Sequence, residues 1–162
     1  CQHIIRAAHD HGVPVIVDPK GAQWLKYKEA DYLTPNIKEI NEIMLEPIAN
    51  KDFEVEKAAR YAMRKFGIRN VVLTRSAKGL SLIHGEEVAH IPTKAQEVFD
   101  VSGAGDTVIA VFGLGLAGGL KPADAAYLAN VAASVVVSKL GTYAVSREEL
   151  LQVLDHQEGA NG

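Results

Sequence analysis

Residues 100–107 read Asp-Val-Ser-Gly-Ala-Gly-Asp-Thr, and this stretch decides how the chain is interpreted. It precedes a long apolar run that predicts a helix over about 104–117. Because Gly103, Ala104 and Gly105 carry little or no side chain, the free N–H groups at the start of that helix are accessible. Together with the positive end of the helix dipole, they suit a transferring phosphoryl group.

Asp106 follows this turn at once, in the first turn of the predicted helix. A carboxylate beside an anion site is unfavourable unless it takes part in the chemistry, as a general base for a substrate hydroxyl would. The alternative is that Asp106 only stabilises the helix N-terminus, an effect worth about 0.3–1 kcal/mol. The three small residues that precede Asp106 favour the catalytic interpretation.

The rest of the chain alternates apolar runs with amphipathic stretches and then turns to hairpins. This order predicts an α/β fold with a mostly parallel sheet. The predicted strands cover residues 13–17, 32–34, 70–74, 80–83 and 88–91. The predicted helices cover residues 1–11, 36–45, 53–66 and 104–117 and the stretch after Pro122. A last helix is predicted to begin at a capping box, Ser146 to Glu149.

Polar residues follow the ends of the predicted parallel strands. Asp18, Thr34 to Asn36 and Thr74 to Ser76 all occupy such positions. Because ligands bind beyond the carboxyl ends of parallel strands, we expect these segments to share one edge of the sheet. Lys20 is a further candidate for a phosphate contact there, with an ordinary Asp-Pro surface turn as the alternative.

Length and composition restrict the function classes. A chain of 162 residues predicts one domain, and a net charge of −3 argues against nucleic acid as the main partner. The single cysteine, Cys1, excludes an internal disulfide and favours the cytoplasm. No apolar stretch is long enough to predict a membrane span. Since the chain starts with Cys1 inside a predicted helix, we expect a fragment that lacks its N-terminal part.

Residues 100–107 closely resemble the second signature of the PfkB/ribokinase family of sugar kinases, except that Val111 stands where a small residue is usual. The resemblance implies an anion hole at Gly103, Ala104 and Gly105 and a catalytic Asp106. It also implies a ribokinase-like three-layer α/β/α fold, present here as a C-terminal fragment. Residues 1–155 would form the nucleotide-binding part of the kinase domain, and residues 156–162 a tail or the start of a linker.

Asn36-Ile37-Lys38-Glu39 resembles the Asn-x-x-Glu motif of the same family. The resemblance implies that Asn36 and Glu39 organise nucleotide phosphate and Mg²⁺, with Glu39 acting through water. The structural interpretation is that Asn36 caps a helix and Glu39 reaches back to it. Both roles can coexist.

Two further segments resemble nucleotide-binding parts of the family. Residues 74–79 resemble the segment that holds ATP phosphates and ribose, which implies contacts from Thr74, Ser76 and Gly79; an ordinary hairpin turn is the alternative. Asn130 lies on a buried helix that lines the adenine pocket in the family, together with the loop 139–142. A hydrogen-bonded interior asparagine explains Asn130 equally well.

Asp100 and Ser102 resemble the family loop that holds a monovalent cation. Two other patterns are set aside. Gly113-x-Gly115-x-x-Gly118 lies within a predicted helix rather than after a strand, so it predicts close helix packing instead of dinucleotide binding. Residues 9–11, His-Asp-His, do not predict a metal site, because neighbours this close on a helix face different ways. They predict a solvated helix end instead.

Several stretches resemble one branch, the bacterial D-glycero-β-D-manno-heptose-7-phosphate kinases: residues 17–21, residues 73–76 with Gly79, residues 91–109, and residues 136–137 with 139–142. This implies ATP-dependent phosphorylation of the anomeric hydroxyl for ADP-heptose and lipopolysaccharide synthesis. It also implies a homo-oligomer and, in bifunctional forms, a fused nucleotidyltransferase domain. Two alternatives stay open: a kinase for another sugar or nucleoside, and a non-catalytic nucleotide-binding module. Because the family's sugar site lies mostly in the other half, we expect the fragment alone to be inactive.

Overall fold

The computed structural model describes residues 1–93 and 99–158. These residues form two compact units, Cys1–Ile91 and Pro92–Gly162. Residues 94–98, part of the 91–109 stretch, and the tail residues 159–162 lie outside the described residues.

The first unit is a five-stranded sheet in the order β1-β2-β3-β4-β5, with helices between the first strands. β1, β2 and β3 are parallel, and β4 and β5 continue the sheet as antiparallel hairpins, as predicted. The elements are α1 (Gln2–Asp10), β1 (Ile16–Val17), β2 (Tyr32–Leu33), α2 (Ile37–Asn41), α3 (Asp52–Phe66), β3 (Asn70–Thr74), β4 (Leu80–His84) and β5 (Glu87–Ile91).

The core of this unit lies where α3 packs against β3 and β4. α3 turns Val55, Ala59 and Ala62 inward, and all three are fully buried. Trp24, which the sequence did not single out, is equally buried and lies in a short 3₁₀ turn, Trp24–Tyr27. Such a turn is too short to give a periodic signal.

The second unit contains α4 (Ala104–Ala117), α5 (Pro122–Val137) and α6 (Arg147–Glu158). α4 and α5 pack closely at Gly115, where a Cβ atom would lie 2.9 Å from the Cβ of Ala125. α4 ends at Ala117, and Gly119 follows with a φ of +85°. The predicted role of these glycines in close helix packing is therefore confirmed.

α6 begins at the predicted capping box. The Ser146 N–H donates to Glu149 Oε2 at 3.0 Å, and the Glu149 N–H donates to Ser146 Oγ at 3.2 Å. The first of these hydrogen bonds is the main reason why the pKa of Glu149 falls to about 2. The helix continues to Glu158, past the predicted start of the tail at residue 156.

Three local predictions need correction. α2 ends at Asn41 rather than near residue 45, and β1 has two residues rather than five. His9 does not lie at a solvated helix end, because its Nε2 contacts Asp31 Oδ2 at 2.8 Å. Among the described residues, no group of three His, Cys, Asp or Glu residues could hold a metal ion. Within the same residues, no helix has the length and apolar character needed to cross a bilayer.

Candidate functional site

In the first unit, the carboxyl ends of β1, β2 and β3 bring the predicted polar segments to one edge of the sheet. The Thr34 N–H donates to the Val17 carbonyl, and the Thr74 N–H donates to the Pro35 carbonyl, both at 2.9 Å. Asn36 and Thr74 form a parallel bridge beyond the named strands. Asp18, Asn36 and Thr74 therefore follow neighbouring strand ends, as the sequence predicts.

Asn36 and Glu39 form the predicted capping box at the start of α2. The Glu39 N–H donates to Asn36 Oδ1, and the Asn36 N–H donates to Glu39 Oε2, each at 2.9 Å. Glu39 is buried as a result. The box fixes the Glu39 carboxylate and leaves its Oε1 atom facing Lys20.

Lys20 joins this group through two carboxylates. Its Nζ lies 2.6 Å from Glu39 Oε1 and 2.9 Å from Asp18 Oδ2. The hydrogen bonds with Glu39 and then Asp18 raise the pKa of Lys20 above its ordinary value, so the ammonium stays charged. The sequence named Lys20 only as a further candidate, because its partner Glu39 is 19 residues away.

The oxygen donors at this edge are of the kind that Mg²⁺ prefers, although the Lys20 ammonium contacts the same two carboxylates. Asp18 and Glu39 supply carboxylate oxygens, which are the ligands that Mg²⁺ prefers beside several waters. Each Glu39 oxygen accepts one hydrogen bond and keeps a second lone pair for a water. One or two carboxylates plus phosphate oxygens suffice for this ion.

Residues 74–79 form a tight loop between β3 and β4. The Arg75 N–H donates to the Gly79 carbonyl at 2.7 Å, and the Gly79 N–H donates to the Ser76 carbonyl at 2.9 Å. Ser76 is exposed and has a φ of +54°, which is unusual for a residue other than glycine. Thr74 is half-buried at the end of β3.

Arg75 also belongs to this loop, and the sequence analysis predicts no role for it. Its side chain is 2% exposed and contacts Asn50, Asp52 and Ser81. The hydrogen bond from Arg75 lowers the pKa of Asp52 below its ordinary value. An arginine directly after a buried strand is the only sequence signal for this arrangement.

In the second unit, Gly103 precedes α4 with a φ of +79°. Its carbonyl accepts from both the N–H and the Oγ1 of Thr107, each at 2.9 Å. The Ala104 N–H donates to the Val101 carbonyl at 3.2 Å. Among the described residues, the N–H groups of Gly103, Gly105 and Asp106 donate to no protein acceptor, so the free donors differ by one residue from the predicted anion hole.

Asp106 is exposed in the first turn of α4. Within the described part of the chain, its carboxylate has no hydrogen-bond or ion-pair partner. Among the residues that the structure describes, no atom of a neighbouring element lies within 4 Å of the place where a Cβ of Gly105 would be. The geometry therefore presents a free carboxylate next to free N–H donors and an unobstructed backbone.

Asp100 joins two loops of the second unit. Its Oδ1 accepts the Ser102 N–H at 2.8 Å, and its Oδ2 accepts the Gly141 N–H at 3.2 Å. The Ser102 N–H is the main reason why the pKa of Asp100 lies below its ordinary value. These bonds give Asp100 a structural role, and the monovalent cation stays a prediction for Asp100 and Ser102.

Asn130 is buried on α5, and its amide nitrogen donates to the Pro92 carbonyl at 2.9 Å. This bond satisfies the amide nitrogen inside the unit, which is the structural interpretation of Asn130. The adenine contact stays a prediction for the remaining amide oxygen.

Comparison with known proteins gives consistent matches. The pfkB family carbohydrate kinase profile matches residues 1–149. The bifunctional protein HldE of Geobacter sulfurreducens is 48% identical over 158 residues, covering 96% of this chain and 32% of that protein. The HldE protein of Syntrophotalea carbinolica is 45% identical over 157 residues, with the same shares. The chain thus spans about a third of the length of these curated relatives.

A solved structure agrees with these matches. The chain superimposes on Arabidopsis thaliana ribokinase complexed with ribose and ATP with a TM-score of 0.83 and 27% identity. The match covers 93% of this chain and 50% of that one. The expected ribokinase-like α/β fold is confirmed.

Proposed function

Because the chain belongs to the pfkB family of carbohydrate kinases, we propose that the protein transfers the γ-phosphoryl group of ATP to a sugar hydroxyl. The observation that carries this proposal is the start of α4. There the exposed carboxylate of Asp106 lies next to free N–H donors, and Gly105 leaves the backbone open to a ligand. A base beside an anion site is the arrangement that phosphoryl transfer requires.

In the proposed reaction, Asp106 takes the proton from the sugar hydroxyl. The hydroxyl oxygen then bonds to the γ-phosphorus while the bond between that phosphorus and the β-γ bridging oxygen breaks, so ADP leaves. The N–H groups of Gly103, Gly105 and Asp106 stabilise the negative charge on the moving phosphoryl group. A single donor of this kind is worth about 2.7–4 kcal/mol. The Ala104 N–H contributes only when it is released from Val101.

The first unit would supply the groups that hold the nucleotide. Thr74, Ser76 and Gly79 bind phosphates and ribose, and Lys20 adds a fixed positive charge. Asn36 would help to organise the nucleotide phosphates, and Glu39 would hold Mg²⁺ through water, so that the ion would neutralise charge on the phosphate oxygens. These assignments rest on the shared sheet edge and on the fit of its oxygen donors.

For the substrate, we propose D-glycero-β-D-manno-heptose 7-phosphate, phosphorylated at its anomeric hydroxyl to the 1,7-bisphosphate. Residues 17–21 and 73–79 support this branch, as does the identity of 48% to a bifunctional HldE protein. The product would feed ADP-heptose and lipopolysaccharide synthesis in the cytoplasm. A fused nucleotidyltransferase domain, a homo-oligomeric state and the inactivity of residues 1–162 alone belong to the same proposal.

The role of Asp106 is tested by Asp106→Asn in the whole protein. We expect the loss of at least about 100-fold in kcat, because a general base contributes this much or more. The fold should stay intact, since the side chain is exposed and makes no contact among the described residues. ADP release and thermal unfolding are the two measurements.

Asp124 provides a matched control, because it is an exposed acidic residue in the first turn of α5. If Asp106 only stabilised its helix, Asp106→Asn and Asp124→Asn would have the same small effect on unfolding and none on turnover. Wild-type turnover in Asp106→Asn would end the catalytic assignment.

The substrate is tested by ADP release from the whole protein with the heptose 7-phosphate, ribose, fructose and fructose 6-phosphate. Strong stimulation by the heptose phosphate alone supports the branch. The structural similarity to a ribokinase complexed with ribose favours one second candidate, a kinase for another sugar. Stimulation by ribose or fructose would replace the heptose and keep the role of Asp106.

A further inference from the structure

We propose that Arg75 is a positioning residue for the nucleotide. Its buried guanidinium would hold the loop 74–79 in the shape that presents Thr74 and Ser76 to ATP, without touching ATP itself. This inference rests on the proposed function, because it assumes that the loop receives the nucleotide.

The first support is the set of charged and polar contacts around the guanidinium. Arg75 Nη1 lies 2.6 Å from Asp52 Oδ1, and Nε donates to Asn50 Oδ1 at 2.8 Å. Asp52 is the first residue of α3, and Asn50 lies two residues before it. Arg75 therefore ties the end of β3 to the segment that enters α3.

A second set of contacts runs across the hairpin. Arg75 Nη1 donates to Ser81 Oγ at 3.0 Å, and Ser81 is fully buried in β4. Ser81 Oγ in turn lies 2.8 Å from His90 Nδ1 in β5. The same side chain thus fixes the loop relative to both strands that follow it.

Asn50 also forms hydrogen bonds with two residues of the loop, Arg75 and Lys78. Its Nδ2 donates to the Arg75 carbonyl at 3.0 Å, and its own carbonyl accepts from Lys78 Nζ at 2.6 Å. Arg75, Lys78 and Asn50 therefore close a ring of hydrogen bonds around the loop. Substitution of either Arg75 or Asn50 would open it.

This ring holds the loop in a backbone conformation that is unfavourable for an unconstrained chain. Ser76 has a φ of +54°, and a left-handed residue other than glycine costs about 1–2 kcal/mol. Ser76 is exposed, so packing does not impose this conformation. A strained residue persists only where its surroundings determine it, and such residues cluster where ligands are held.

The burial of the Arg75 side chain also supports a role in holding the loop. Removing an arginine from water is costly unless its hydrogen bonds are well satisfied, and a simple hairpin turn needs no such side chain. A buried arginine clamping an exposed, strained loop is consistent with preorganisation, which reduces the entropy lost when a ligand binds. The expected signature is a change in affinity for ATP with little change in the chemical step.

The test uses Arg75→Lys and Arg75→Met in the whole protein. We expect the Kd and the KM for ATP to rise about tenfold or more, because a loop that is no longer preorganised loses more entropy when it binds the nucleotide. The kcat at saturating ATP should stay within about twofold of wild type. The KM for the sugar should not change. Lysine keeps the charge but lacks the planar fork, so it should not rescue the affinity.

Arg69→Met is the matched control, because Arg69 also pairs with an aspartate, Asp31, but at the other end of β3. It should leave the affinity for ATP unchanged. Asn50→Ala is the second variant, and it opens the same ring with Arg75 in place. If Arg75→Met does not fold, Arg75→Lys and Asn50→Ala still decide the question.

The outcomes separate this inference from the proposed function. Wild-type affinity for ATP in Arg75→Lys and Asn50→Ala overturns the inference and leaves the kinase proposal intact. An equal loss in Arg69→Met overturns it as well, because the effect would then be general. If no sugar stimulates ADP release but the Arg75 variants still bind ATP more weakly, the kinase proposal fails and the inference holds. Absence of ATP binding by the wild-type protein overturns both.

Discussion

Gly103 and Gly105 are two residues apart and are glycines for different physical reasons. Gly103 has a φ of +79°, a conformation that costs other residues about 1–2 kcal/mol. Gly105 lies within α4 outside the left-handed region and has nothing within 4 Å of a Cβ position. Folding alone would favour alanine there by roughly 0.5–1 kcal/mol. In the proposed function, the missing side chain at Gly105 would let a phosphoryl group approach the start of α4 closely.

Gly105→Ala therefore should separate stability from function. We expect the free energy of unfolding to stay the same or rise by up to about 1 kcal/mol, because alanine is the better helix residue. We expect kcat to fall by about tenfold or more, because the added methyl group lies where the phosphoryl group would approach the N–H donors. Urea unfolding and ADP release by the whole protein measure the two effects.

Gly103→Ala is the comparison for this prediction. It should lower the free energy of unfolding by about 1–2 kcal/mol, since its backbone is left-handed. If Gly105→Ala kept wild-type turnover, the space beside Gly105 would not receive the phosphoryl group. A loss of stability in Gly105→Ala would show that the helix itself needs glycine there.

The sequence predicts a role for Asp106 because its motif is local, with all its residues in one turn. It did not locate partners that are distant along the chain. Glu39 is 19 residues from Lys20, Asn50 is 25 residues from Arg75, and Asp31 is 22 residues from His9. Such pairs depend on how strands and helices stack, and no spacing rule reports that.

At the scale of elements, the strongest periodic segments were predicted well. α3, β3 and α4 have bounds within one residue of the prediction, because each has a clear apolar period or a marked end. The turn that buries Trp24 was not predicted, because a 3₁₀ turn of four residues has no period to detect. The predicted α2 was too long, because apolar residues continue in the sequence beyond Asn41, where the helix ends.

The contact of α4 with α5 gives a prediction at this scale. In Gly115→Ala the new Cβ would lie 2.9 Å from Ala125 Cβ and 3.2 Å from Ala125 Cα. Because α5 backbone cannot move aside cheaply, we expect a loss of about 1–3 kcal/mol in the free energy of unfolding. This loss should exceed the gain of about 1 kcal/mol in helix propensity. Urea unfolding measures the sum.

Gly105→Ala serves as the control, because it makes the same substitution in the same helix without a neighbour. Opposite signs for the two variants would establish that the helices pack at Gly115. Equal stabilisation by both would mean that the two helices can separate to admit the methyl group.

At the scale of the whole molecule, each of the two compact units contains residues for which the sequence predicts a function. The groups assigned to the nucleotide phosphates, Asn36 and residues 74–79, belong to the first unit, and Asp106 belongs to the second. The family match covers residues 1–149 and so includes both. Both units must therefore be folded for the proposed function. In the first unit, one carboxyl group makes the free energy of unfolding depend on pH in a definite direction.

Asp31 is that group. Burial alone would raise the pKa of its carboxyl, but the Val15 N–H, His9 and Arg69 together lower it below the ordinary value of 3.8. The folded protein therefore binds this proton less readily than the unfolded chain. The stabilisation from Asp31 is present above the unfolded-state pKa and is lost as the pH falls through the folded-state pKa.

Asp31→Asn should remove this part of the pH dependence. At pH 7 we expect a loss of about 1.5–3 kcal/mol in the free energy of unfolding, because hydrogen bonds to a charged group are lost. The difference from wild type should begin to shrink below about pH 4, where the unfolded chain takes up this proton, and should be lost as the pH falls through the lower folded-state pKa. Asp10→Asn, at the exposed end of α1, is the control and should run parallel to wild type. A constant difference between Asp31→Asn and wild type from pH 7 to pH 3 would mean that Asp31 stabilises the unit by packing rather than by its charge.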